Sequence, residues 1–118
     1  MALQVSRTDL LTTEIRKSGQ QHALVMLDGE LDISTVAPLY EKFAELAREG
    51  INHVALNLAE LEFMDSTGLS VIIAEHKRTT SMDGELIIFS PSARVRKLFE
   101  VAGMDRYLNI RPLREEAS

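Results

Sequence analysis

The chain has 118 residues, 45% of them apolar, with a formal net charge of −5 and no cysteine. That length suits one compact domain spanning 1–118, with a core over about 11–110. The absence of cysteine rules out disulfides, thiolate metal sites and a cysteine nucleophile, and it fits a reducing, cytoplasmic setting. The acidic balance, without any basic run or Trp, argues against nucleic-acid binding. No apolar run approaches the roughly 20 residues that span a bilayer. Residues 1–9 lack the basic start and apolar stretch of a secretion signal.

Residues 11–17 read as a first strand with weak alternation, and Ser18-Gly19-Gln20-Gln21 as a hairpin turn. The apolar run 22–27 reads as a strand covered on both faces or on most of one. Asp28-Gly29-Glu30-Leu31-Asp32 is expected to break it. Val36, Leu39, Tyr40, Phe43, Leu46 and Ala47 then recur three or four apart, which predicts a helix over 34–49. Pro38 is tolerable there if Ser34 or Thr35 is the cap, because the first helical N–H groups have no partner to lose. Gly50 stops the helix.

Val54, Leu56 and Leu58 alternate, so 53–58 reads as a core strand parallel to the previous one. Ser66 is read as the cap of a helix over 66–81, with Leu69, Ile72, Ile73 and His76 inward and a polar second half. Residues 85–89 form a further parallel strand. Ser90-Pro91 is read as the next helix start, with Ser90 as cap. Val95, Leu98, Phe99 and Ala102 face inward and Gly103 ends that helix. A short strand over 107–110 precedes a charged tail, 111–118, expected to be mobile. The order predicts an α/β fold: a small mixed sheet with an antiparallel edge hairpin, then β-α units with helices on its face.

Phe63-Met64-Asp65-Ser66-Thr67-Gly68-Leu69 is the most informative stretch. A hydroxyl at the start of a helix lies near unpaired backbone N–H groups and the positive end of the helix dipole. Phosphorylation there adds a charge of about −1.5 to −2 and three acceptor oxygens. If the residue faces an acidic partner group at about 4 Å, unit-charge repulsion is ~4 kcal/mol at an effective dielectric near 20. A plain cap is the alternative for Ser66. Thr67 is a second candidate acceptor, and Asp65 is read as a turn former. Gly68 leaves room for an approaching backbone or serves helix packing.

Asp28, Glu30 and Asp32 could ligate a divalent cation, but the spacing does not make a full calcium loop, so a solvated acidic loop is the reading adopted. That loop is expected beside Ser66, because loops after parallel strands open at one sheet edge. His22, His53 and His76 do not sit at metal-ligand spacing. A Ser66–His76–Asp65 triad lacks the required element geometry, the Gly-x-Ser-x-Gly elbow is absent, and no phosphate-binding glycine loop is present. The sequence therefore predicts no enzyme, no cofactor and no metal.

Three blocks, Leu27-Asp28-Gly29-Glu30-Leu31-Asp32, 58–69 with its Phe-Met-Asp-Ser-Thr-Gly-Leu run, and 95–103, together resemble the bacterial anti-sigma factor antagonists of the STAS domain family. The resemblance covers about 11–110. It implies helices packed mainly on one side of a small sheet, and Ser66 as phosphoacceptor. It also implies an anti-sigma factor that is a serine kinase as partner, with a serine phosphatase resetting the state. Nucleic acid and membrane are not implied partners, and the chain would be a monomer or weak dimer. The partner-binding surface would comprise Asp28, Gly29, Glu30, Asp32, Met64, Asp65, Ser66, Thr67 and Gly68. Thr67, where serine or alanine is common, and Pro38, near the partner-facing loop, depart from the family pattern. A non-switching accessory subunit of the same fold, binding a small ligand or a lipid-transport partner, is the alternative.

Overall fold

The computed structural model describes residues 3–7 and 10–112. In chain order the elements are β1 (Leu3–Arg7), β2 (Leu11–Ser18), β3 (His22–Leu31), α1 (Val36–Arg48), β4 (His53–Met64), α2 (Ser66–Ser81), β5 (Glu85–Phe89), α3 (Ala93–Val101) and β6 (Asn109–Arg111). The strands lie in one sheet in the same order as in the chain. β1, β2 and β3 pair antiparallel, and every pair from β3 to β6 is parallel. Each parallel connection steps to the next strand in the same direction. Right-handed crossovers therefore put α1, α2 and α3 on a common face.

The pleat shows which face that is. Ala23, Val25 and Leu27 of β3, Val54, Leu56 and Leu58 of β4, and Leu86 and Ile88 of β5 are buried. They pack with Leu39, Phe43 and Leu46 of α1, Leu69 and Ile72 of α2, and Val95 and Phe99 of α3. The interleaved residues Leu24, Met26, Ala55, Asn57, Ile87 and Phe89 are only half-buried. The mixed sheet with helices on one face agrees with the sequence reading.

Several boundaries differ. β1 lies outside the sequence reading: its apolar Leu3 and Val5 are both about half exposed and give no buried pair to read. β3 and β4 run well past 27 and 58. The register between them slips twice, Met26 pairing with Asn57 but Asp28 with Glu60, and Gly29 with Leu61 but Glu30 with Phe63. Each slip adds one residue to β4. Inward side chains then fall three apart, and Leu58, Leu61 and Met64 all reach the core. Asn57 supports the first bulge by accepting from the Ala59 N–H at 2.9 Å. Gly29 permits the continuation of β3. Its φ is +118°, and a Cβ there would lie 2.0 Å from the Leu10 carbonyl oxygen.

The α3 cap is Ser92, not Ser90. Ser90 has φ 53° and its N–H extends the sheet to the Arg111 carbonyl at 2.8 Å. Ser92 accepts from the Val95 N–H and donates to the Leu61 carbonyl at 2.8 Å, tying α3 to the bulged end of β4. Ala102, expected inward, is exposed at the helix end. Arg111 belongs to β6 rather than to a tail, and 113–118 lie outside the described residues.

The second half of α2 is not simply polar. Glu75 and Thr79 are buried. Arg78 forms a two-point pair with Glu75, its Nε donating to Oε1 at 2.8 Å, and its Nη1 donates to the Ile51 carbonyl at 2.9 Å. The pair thus fastens α2 to the chain just before β4. Burial pushes the Glu75 carboxyl up, with Arg78 opposing the shift. Arg78→Ala should cost about 3 kcal/mol in urea unfolding, because it strands a buried carboxylate. A Glu75→Leu/Arg78→Met double variant should lie close to the parent. The Arg78→Ala deficit should shrink as pH is lowered, since the folded state then takes up a proton at Glu75 before the unfolded chain does.

Candidate functional site at the carboxyl ends of β3 and β4

β3 and β4 end side by side, with Leu31 opposite Met64. The Asp65 N–H donates to the Leu31 carbonyl at 3.1 Å and adds one step to the ladder. Asp65 then leaves the strand in extended conformation and is the N-cap of α2. Its Oδ1 accepts from the Gly68 N–H at 3.0 Å, and its Oδ2 accepts from the Ile33 N–H at 3.2 Å. One carboxylate therefore caps the helix and holds the β3–α1 loop beside it. The cap expected at Ser66 sits one residue earlier, because an aspartate oxygen at residue 65 reaches the same first-turn donors.

Ser66 is instead the first residue of α2. Its side chain is exposed, and its hydroxyl makes no hydrogen bond among the described residues. Its backbone carbonyl accepts from the Ser70 hydroxyl at 2.9 Å. In this turn the leading N–H groups have no helical acceptor, and the helix dipole adds positive potential.

The facing loop is ordered by its own side chains. Thr35 Oγ1 accepts from the Asp32 N–H at 2.9 Å and donates to the Glu30 carbonyl at 2.8 Å. Thr35 is thus the α1 N-cap residue by position, but its hydroxyl is spent on the loop and makes no capping bond. Asp32 Oδ1 accepts from both the N–H and the hydroxyl of Ser34, at 2.9 and 2.7 Å. The Ser34 hydroxyl foremost, opposed by the cost of burial and aided by the Ser34 N–H and by Thr35, holds the Asp32 carboxyl below its ordinary range.

The expected surface divides into three parts. Asp32, Asp65, Ser66 and Thr67 lie together, with Ser66 exposed and the others half-buried. Gly29 and Glu30 are half-buried at the end of β3, and Asp28 lies further back, exposed and opposite Glu60. Met64 and Gly68 support the site from below. Met64 is 4% exposed, and a Cβ at Gly68 would lie 2.7 Å from Leu31 Cγ, so this glycine serves helix–strand packing rather than an approaching backbone. No group of three His, Asp or Glu residues is placed to hold a metal ion among the described residues. His76 is ten residues along α2 from Ser66, about 15 Å in helical rise, and lies edge-on to Tyr107.

Two apolar residues complete the rim and escaped the sequence reading. Ile33 is 77% exposed between Asp32 and Ser34, and Phe63, opposite Glu30, is 38% exposed. The available signal was the isolation of Ile33. An aliphatic residue between two turn-forming polar residues has no strand or helix to carry it into a core. An apolar knob ringed by polar groups has the anatomy of a protein-binding hot spot.

Residues 14–117 match the STAS domain family. The chain belongs to that family. An anti-sigma-B factor antagonist of Staphylococcus epidermidis is 35% identical over 86 residues, covering 73% of this chain and 80% of the relative. An anti-sigma factor antagonist from Mycobacterium paratuberculosis superposes with a TM-score of 0.80 at 20% identity, covering 95% of this chain and 94% of the other. The Bacillus cell fate determinant SpoIIAA in its phosphorylated form superposes with a TM-score of 0.70 at 24% identity, covering 89% and 95%. Both structural matches show the fold of this STAS chain.

The packing separates structural from surface roles in a way thermal or urea unfolding can read. Asp65→Ala should cost about 1–2 kcal/mol. Gly68→Ala should cost about 1–2 kcal/mol, the crowding against Leu31 outweighing the gain in helix propensity. Ser66→Ala should stay within about 0.5 kcal/mol of the parent.

Proposed function

We propose that this STAS chain is an anti-sigma factor antagonist, a protein-binding module and not an enzyme. In this reading it binds an anti-sigma factor that is also a serine kinase, and phosphorylation of Ser66 ends the binding. The observation that carries the reading is the exposed Ser66 hydroxyl, which has no capping duty because Asp65 performs it. The relative of Staphylococcus epidermidis named as an anti-sigma-B factor antagonist supports the class of partner.

The chemistry asked of the chain is small. The γ-phosphoryl group of ATP passes to Ser66 Oγ, ADP leaves, and the hydroxyl proton goes to a base on the kinase. The product carries about −1.5 to −2 charge at the amino end of α2, where the dipole offsets its cost to the host fold. In the complex the same charge would lie beside Asp32 and Asp65 and against the partner. Repulsion and desolvation there reach several kcal/mol, enough for a hundredfold or greater loss of affinity on the order given by ~1.4 kcal/mol per decade. Ile33, with Phe63 beside the acidic rim, supplies the apolar contact. A cytoplasmic location and reset by a serine phosphatase complete the proposal.

Mass spectrometry after incubation with ATP and a cognate kinase should place phosphate on Ser66, and Ser66→Ala should remove it while still binding the partner. Ser66→Asp should bind poorly. Phosphate on Thr67 alone, or equal binding by the two variants, would refute the switch. Separately, Ile33→Ser should weaken the unphosphorylated complex by about tenfold or more without changing the urea midpoint.

A further inference from the structure

The sheet face away from the helices carries a trough at the opposite end of β4 from Ser66. Arg16, Leu24, Ala55 and Ile87 stand in register across β2 to β5. The next row, at the starts of β3, β4 and β5 and the end of β2, holds Ser18, His22, His53 and Glu85. Ala55 offers one methyl between the longer Leu24 and Ile87, so the surface dips over β4. The resulting cavity is about 540 Å³. That lies within the range of about 300–1,000 Å³ typical of small-molecule sites.

Its chemistry is polarised. The floor and sides, Leu24, Ala55 and Ile87, are apolar. The β2 side carries the Arg16 guanidinium and the Ser18 hydroxyl, both exposed. Arg16 has no carboxylate partner among the described residues, whereas its neighbour Lys17 is occupied by Glu49 at 2.6 Å. The His22 and His53 rings stack at 4.6 Å between centroids and 16° between planes, forming a flat wall. Asn52 Oδ1 lies 2.8 Å from His53 Nδ1, and Asn52 Nδ2 donates to the Met82 carbonyl at 2.8 Å, which fixes that ring. Glu85, the carboxylate on the lining, stands on the far side, on β5. An unpaired cation at one end of an apolar trough, in a chain of net charge −5, selects an anion with an apolar body.

From this geometry we propose that the trough binds a free medium-chain fatty acid. The carboxylate pairs with Arg16 and accepts from Ser18, and the acyl chain crosses Leu24 and Ala55 to Ile87. The span from β2 to β5 is three strand spacings, about 14 Å, which suits a chain of that class. The site is independent of the Ser66 reading.

The test is a backbone-amide NMR titration of the full chain with sodium decanoate kept below micelle formation. Saturable shifts should centre on Leu24, Ala55, Ile87 and the two histidines. Arg16→Glu, and replacement of decanoate by decan-1-ol, should each weaken binding by about tenfold or more. Ala55→Leu fills a half-exposed dip and should abolish binding while preserving the spectrum of the fold. Four results would overturn the proposal: shifts that fail to saturate or that centre on Ile33 and Phe63; equal affinity for the alcohol, or no effect of either substitution; ligand-free, concentration-dependent broadening of the same amides, which would mean that a second copy covers the face; and binding to phosphatidylglycerol vesicles in place of free decanoate.

Discussion

The carboxylate of Asp65 is the constraint on which the site depends. It accepts from Gly68 in α2 and from Ile33 in the loop after β3. One side chain thus holds its own helix start and a loop 32 residues earlier in the chain. Without it, the first turn of α2 would lose a donor's partner and the loop would lose its anchor at Ile33. The bond is possible only because β3 and β4 end level, and the ladder step from Asp65 to Leu31 sets that level. Gly68 closes the arrangement, since its missing side chain lets α2 settle on Leu31.

The level ending itself depends on the two bulges in β4. They insert residues without turning the apolar side chains outward, so Leu61 and Met64 continue the core that Leu58 begins. Ser92 then bonds to the Leu61 carbonyl, and α3 is drawn to the same region. At the other end of β4, Arg78 bonds to Ile51 and fixes where the strand begins. The long central strand is thus pinned at both ends by side chains from helices on one face, and no helix among the described residues covers the other face.

Much of the architecture was legible because the apolar periodicity is strong. The spacing of Leu39, Phe43 and Leu46 located α1, and the alternation of Val54, Leu56 and Leu58 located the first half of β4. The pattern failed where period two becomes period three, so the strand reading stopped at 58, short of Leu61 and Met64. It failed again at β1, where the apolar Leu3 and Val5 are both about half exposed. The cap assignments slipped because Asp65-Ser66 and Ser90-Pro91-Ser92 each offer two acceptable residues, and hydrogen-bond geometry decides between them. Glu75 and Arg78 read as surface because a charge rarely goes inside unless paired, and the pairing is tertiary. At the site, Asp32, Asp65, Ser66 and Thr67 were legible as a motif. Ile33 was not, since its exposure is a consequence of the turn that Asp32, Ser34 and Thr35 build around it.

The capping duty falls on residue 65 and leaves residue 66 without one. Residue 66 can therefore change over evolutionary time with the scaffold unharmed, so a lineage could lose the proposed phosphorylation and still keep the domain for other uses.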